Sequence, residues 1–297
     1  MTRYFVLFVG FLCLNSCEDK RYKMVDADVL KMEEVLKQDS SKQNVIGLIG
    51  TIYRKAQEQK TAKDQELFYQ YGAETCERLG YLAEKRTFLS QLLKCCYRSE
   101  KTPARLEELA TMLSQDGKTE LASVINNALF KQFNKSPEAQ RVNESDRKLD
   151  VDQFIKSFGE AAFDATGSTG LKEKEAIKYI DLCEAKAMAD PKDASSPEYL
   201  WKGAEMARTL GSIEKCVALY TALEEQFPTY EKAPDALFVK GYILETSYND
   251  KVNAKLAYEK FIKNYPRHTL AKDAKFLLDN VDKSDDELLK LIPKQDQ

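Results

Sequence analysis

From Tyr199 to Leu278 the chain reads YLWKGAEMARTLGSIEKCVALYTALEEQFPTYEKAPDALFVKGYILETSYNDKVNAKLAYEKFIKNYPRHTLAKDAKFLL, and this stretch repeats itself. A shift of 38 residues lays Leu200-Trp201-Lys202-Gly203 on Phe238-Val239-Lys240-Gly241. The same shift lays Cys216 on Ala254, Tyr220 on Tyr258, Leu223 on Phe261 and Phe227-Pro228 on Tyr265-Pro266. A third start follows without a gap, since Ala233, Asp235, Ala236 and Phe238 recur as Ala271, Asp273, Ala274 and Phe276. A fixed period of about 20–50 residues marks a stacked array of repeats. An ordinary helical bundle has no reason to keep such a period.

Each unit reads as two helices. Tyr199, Leu200, Gly203, Met206, Ala207 and Leu210 recur every three or four residues, which lines one face of a first helix. Gly211-Ser212 breaks the pattern at a turn. Cys216, Val217, Leu219, Tyr220, Leu223 and Phe227 form the apolar side of a second helix, which Pro228 ends because it cannot donate the next helical hydrogen bond. Gly203 and Gly241 let a neighbouring helix approach closely, Cys216 and Ala254 receive the crossing, and aromatic residues fill the seam. This order of small, small, aromatic and closing proline resembles the tetratricopeptide repeat, in the slightly long form of bacterial envelope proteins. The resemblance covers residues 198–280 and implies an all-α solenoid, a right-handed superhelix of helix-turn-helix units.

Composition agrees. Among 297 residues 31% are charged, and only 12 Gly and 8 Pro are available for turns, which suits helices joined by short loops. With 45 basic against 48 acidic residues the formal net charge is −3, and no basic stripe suggests nucleic acid.

Met1 to Cys17 reads as a segment outside the fold. Arg3 supplies a positive start and Tyr4–Leu14 an apolar run, shorter than the ~20 residues a spanning helix needs and fitting a secretory signal. Leu14-Asn15-Ser16-Cys17 resembles the lipobox of bacterial lipoproteins, which implies a signal peptide over 1–16 and lipid attachment at Cys17. Two or more acyl chains, at ~0.8 kcal/mol per buried CH₂, would anchor the protein stably. Glu18-Asp19 resembles the acidic export tag of surface lipoproteins of Bacteroidota.

The remaining chain divides into a lipidated tether with a short helix (17–43), an eroded helical-repeat region (44–148) and tetratricopeptide-type repeats with a C-terminal capping helix (149–297). In the second part, Val45–Ala56, Leu67–Leu79 and Tyr81–Tyr97 read as successive helices, with Gly47 and Gly50 offered for close packing. Pro103 opens a further pair that closes 34 residues later at Pro137, a standard repeat length. Ser136–Asp150 has little to bury and reads as an interruption. Val151–Ala165 and Leu171–Ala189 are helical around a Thr166–Gly170 loop. Ser284-Asp285-Asp286-Glu287 has the spacing of a capping box, after which Leu288, Leu289 and Ile292 would cover the array's end.

Catalytic chemistry is hard to place. The one histidine, His268, sits in an inter-repeat loop with no partner in view, so a Ser-His-Asp or Cys-His arrangement has no support. The Thr166–Gly170 loop lacks the G-x-x-x-x-G-K-[ST] spacing of a phosphate loop. Cys76, Cys95, Cys96, Cys183 and Cys216 contain no C-x-x-C and lie on or beside apolar helix faces, as small buried hydrophobes do, although in an oxidising envelope one pair could bridge. We therefore assign no catalytic residue, metal ligand or cofactor.

Surface remains, and repeat proteins bind through the concave wall lined by their first helices. There the first unit offers Glu198, Trp201, Lys202, Glu205 and Arg208, and the next Val239, Tyr242, Ile243 and Thr246. Trp201, the single Trp, suits either a hot-spot anchor or core packing. The candidate binding groove is Trp201, Glu205, Arg208, Tyr242 and Thr246. The chain is similar to the repeat lipoprotein of outer-membrane β-barrel assembly and to the periplasmic coordinator family of the Tol–Pal system. Those resemblances imply a non-catalytic scaffold, lipid-anchored in the cell envelope at the outer membrane, whose partners are envelope proteins and the membrane reached through the N-terminal lipid. The alternative is an α-helical nutrient-capture or peptidoglycan-acting lipoprotein.

Overall fold

Glycine and proline set the helix ends in the computed structural model, which describes residues 26–163, 170–283 and 287. The signal sequence, Cys17, the acidic pair behind it, residues 164–169 of the expected helix end and loop, and, apart from Glu287, the proposed capping box with its covering helix lie outside the described residues.

All the regular elements among the described residues are helices, and there is no strand beyond an isolated bridge between Phe163 and Leu171. The chain forms two compact units, one ending at Lys85 and the other starting at Arg86. In the first unit α1 (Ala27–Gln38), α2 (Lys42–Glu58) and α3 (Ala62–Leu79) pack in sequence. A Cβ on Gly47 would stand 2.9 Å from the Met32 side chain, so α1 and α2 do use this glycine for close approach. Gly50 does not serve that purpose, because nothing lies within 4 Å of where its Cβ would be.

α4 (Leu82–Cys96) leads from the first unit into the second, which continues with α5 (Thr102–Gln115) and α6 (Thr119–Gln132). Next come two short helices, α7 (Pro137–Arg141) and α8 (Glu144–Arg147), and then α9 (Val151–Ala161) and α10 (Glu173–Ala189). The pairs α11 (Ser196–Leu210) with α12 (Ile213–Gln226), and α13 (Ala233–Thr246) with α14 (Lys251–Asn264), follow, and α15 is Ala271–Asn280. From α9 to α15 each helix packs on the next.

One backbone turn recurs along the second unit. The amide three residues after a helix-closing carbonyl donates back to it, as in Ser99 to Cys96, Ser136 to Phe133, Asp193 to Asp190, Tyr230 to Phe227 and His268 to Tyr265. Successive closing residues are 37, 57, 37 and 38 positions apart, so the array's period reaches back to α4 and is interrupted once. The turns within pairs repeat too. Gly80, Gly117 and Gly211 hold left-handed backbone with φ of 79°, 74° and 76°, which only glycine adopts without strain. Asn249 fills the corresponding place after α13 with φ 51°.

The interruption corrects the reading of Ser136–Asp150 as a stretch with little to bury. Ala139 and Val142 are buried, and so is Asp146, held by polar rather than apolar contacts. Asn126 Nδ2 donates to the Asp146 carboxylate at 2.8 Å, and Asn127 Nδ2 to its carbonyl at 2.7 Å. α6 thereby pins the insertion without an apolar stripe.

The seams are aromatic where the period is regular. Trp201 packs on the fully buried Tyr220 at 5.6 Å between ring centroids, and Phe238 on Tyr258 at 6.3 Å and Phe261 at 5.8 Å. A Cβ on Gly241 would lie 2.9 Å from the Tyr258 ring, and one on Gly203 would lie 3.1 Å from Cys183 Cβ. Both glycines therefore sit at helix crossings.

Candidate functional site

α9, α10 and α11 converge on an open cavity of about 740 Å³. Helical spacing decides what faces it. On α11 the residues Glu198, Tyr199, Lys202 and Met206 lie on one side and line the cavity. On α9 the spacing of Asp152, Ile155, Lys156 and Gly159 presents a matching wall. α10 contributes Tyr179, whose ring lies against Gly159, where an added Cβ would be only 2.8 Å away. Phe163, paired antiparallel with Leu171 across the link to α10, stands at the edge with 57% of its surface exposed.

The walls are apolar below and charged around. Ile155, Tyr199 and Met206 are buried. Tyr199 donates its phenol to Asp152 Oδ1 at 2.7 Å, and burial together with that carboxylate pushes the phenol's pKa up. Lys202 sits 5.9 Å from the centre of the Tyr199 ring and 3.4 Å from Glu198. Burial raises the Glu198 carboxyl, but the Tyr230 hydroxyl and Lys232 at 2.9 Å outweigh it and leave the pKa below the usual range. Asp150 caps α9 by accepting the Gln153 amide at 3.0 Å.

The five groove residues fall into two groups, and none lines this cavity. Trp201, Glu205 and Arg208 share the adjoining flank of α11, around Tyr220. Glu205 accepts from Arg208 at 2.6 Å and from the Tyr220 phenol, while Lys232 lies 5.5 Å from the centre of the Trp201 ring. Tyr242 and Thr246 are exposed one turn apart on α13, where the Thr246 hydroxyl donates to the Tyr242 carbonyl at 2.8 Å. Glu198 and Lys202, read from sequence as part of the same helix surface, do reach the cavity. Tyr179, Asp152 and Phe163 were missed, because their role depends on how α9 lies against α11.

His268 has the partners that sequence did not place. Its Nδ1 accepts the Leu270 amide at 3.3 Å, its ring meets Phe261 edge-on at 5.6 Å, and its Nε2 is 3.8 Å from Asp235. It shapes the α14–α15 turn. The thiols of Cys76, Cys183 and Cys216 are pushed up to about 12 chiefly by burial, which leaves them un-ionised and poorly nucleophilic near neutrality. Cys95 and Cys96 are bonded to each other at the end of α4. Among the described residues no cluster of three or more His, Cys, Asp or Glu is placed to hold a metal ion, and no helix is long and apolar enough to cross a membrane.

Compared with models of known families and with curated proteins, the chain matches none.

Proposed function

We propose that this chain is a non-catalytic, lipid-anchored scaffold of the bacterial cell envelope, built of tetratricopeptide-type repeats and binding a partner protein along the first helices of its stack. The observation that carries the reading is the cavity of about 740 Å³ between the first helices α9 and α11, with Tyr179 of α10 at its back. Volumes of ~300–1,000 Å³ suit a compact ligand or the side chains of a docked segment. An array with a regular period otherwise closes its seams, so an opening between first helices is where a partner has room. The Leu14–Cys17 lipobox supports the anchor, with Cys17 as the attachment point and the outer membrane as its destination.

Crosslinking in intact cells followed by mass spectrometry tests the scaffold reading. Envelope proteins joined to residues of α9–α11 are the expected result. Recovery of glycans or small solutes alone would point instead to a capture or peptidoglycan-acting protein. The anchor has its own test in the mass of the native N-terminal peptide: an unmodified Cys17, or a start elsewhere, removes it.

A further inference from the structure

The charges around the α9–α11 cavity do not cancel. Glu160 lies 3.6 Å from Lys156, and Glu198 lies 3.4 Å from Lys202 and 2.9 Å from Lys232. Both lysines of the lining are thus engaged by carboxylates of the same walls. Asp150 and Asp152 remain, and neither has a lysine or arginine partner among the described residues. Lys232 brings a second cation to Glu198 and the N-terminus of α9 offsets roughly half a charge, so the negative excess is local to Asp150 and Asp152.

Three rings lie in the same lining: Tyr179, Tyr199 and the exposed Phe163. Aromatic faces attract cations and also accept the methylene stems of long basic side chains. Anionic surfaces, nucleic acid or lipid phosphate, would be repelled by these two aspartates, which hydrogen bonds leave charged. The volume exceeds what one side chain fills, so the residues flanking an inserted cation would enter with it and meet Phe163.

We propose that the cavity receives a lysine or arginine side chain, with an apolar neighbour, from a partner polypeptide; this rests on the scaffold reading above. The cation would sit between the Asp150 and Asp152 carboxylates with its stem along the Tyr199 and Tyr179 rings.

Solution NMR on the full chain, isotope-labelled, tests this with four probes: acetyl-Ala-Arg-Leu-Ala-amide, its Gln and Glu counterparts, and free butylguanidine. The arginine peptide should shift the Tyr179 and Tyr199 signals saturably, with the glutamine peptide about tenfold weaker or worse and the glutamate peptide silent. Asp150→Asn with Asp152→Asn should weaken the arginine peptide by about tenfold while leaving the melting temperature in place. Asparagine still caps α9 and still offers Tyr199 an acceptor. Equal binding of the arginine and glutamine peptides, indifference to the double variant, or shifts mapping elsewhere would overturn the proposal. Butylguanidine binding as tightly as the arginine peptide would do so too, by making the ligand a small cation rather than a polypeptide. Crosslinked protein partners combined with no preference for arginine would sink this inference and leave the scaffold standing, whereas glycans alone in the crosslinking would sink the scaffold itself.

Discussion

α10 and α12 are second helices of consecutive pairs, and the recurrent turn aligns them 37 residues apart. In that register Cys216 and Tyr220 of α12 face Tyr179 and Cys183 of α10, so the small and aromatic positions have changed places. α14 keeps the order of α12, with Ala254 and then Tyr258. Where the order is regular the tyrosine is fully buried in the seam. Where it is exchanged, Tyr179 moves one turn toward the start of its helix, takes its place over Gly159 and becomes a cavity wall.

The last turns differ as well. Leu223 with Phe227, and Phe261 with Tyr265, close α12 and α14 with apolar pairs, but α10 has Lys186 and Asp190 there, both nearly buried. Their ion pair measures 3.3 Å, and Asp193 takes a further bond from Lys186 at 2.8 Å. A buried ion pair seldom stabilises more than a hydrophobic pair of similar volume, because both charges must be desolvated. One pair of helices thus departs from the repeat rule in two places, and it is the pair that borders the cavity.

The largest expected effect comes from breaking the ion pair. Lys186→Met should destabilise by about 3–5 kcal/mol in denaturant unfolding, since it strands the Asp190 carboxylate. Restoring the rule with Lys186→Leu and Asp190→Phe together should instead be neutral or stabilising; a double variant as unstable as the single one would show that α10 needs its charges for folding.

Glu184 comes next. Burial raises its carboxyl, but Lys94 at 3.0 Å and Lys215 overcome this and hold it at about 2. A folded-state pKa below the unfolded value of ~4.3 stabilises above that value and ceases to as pH falls through the folded one. Glu184→Gln should therefore cost about 2–3 kcal/mol at pH 7, and its deficit against the parent should shrink between about pH 4.5 and pH 2.

Two glycines sharpen the comparison at smaller scale. Gly241→Leu should cost about 1–3 kcal/mol through overpacking, because the Tyr258 ring beside it is fully buried. Gly159→Ala should shift stability by less than about 1 kcal/mol: the Tyr179 ring can yield into the cavity, and alanine favours the helix by about as much. Equal losses at the two sites would mean that the α9–α10 seam is as closed as the regular ones.

Much of this was legible in the sequence. Apolar spacing and the 38-residue offset gave the helices from α11 to α15 and their order, because those seams are built of side chains that periodicity detects. The register of α10 was not found. Lys186 and Asp190 hide the apolar pair that marks its end, and its offset to the next unit is 37 rather than 38. Scanning that second offset would have paired Tyr179-Cys183 with Cys216-Tyr220. The insertion at 137–147 could be read as an interruption, but its burial could not, since the Asn126–Asn127–Asp146 network holds it by polar groups that apolar patterning does not detect. Of the site, Glu198 and Lys202 could be placed on a helix face from their spacing. The opposing wall could not, because no local pattern says which side of α9 meets α11.

Paired photo-crosslinking in intact cells tests the central claim most directly, with a benzophenone side chain replacing either Lys156 at the cavity rim or Leu256, exposed on α14. The cavity reading predicts a protein adduct from position 156 that weakens when Asp150 and Asp152 become asparagine, and none from position 256. Adducts of equal yield from both positions, or from 256 alone, would contradict it.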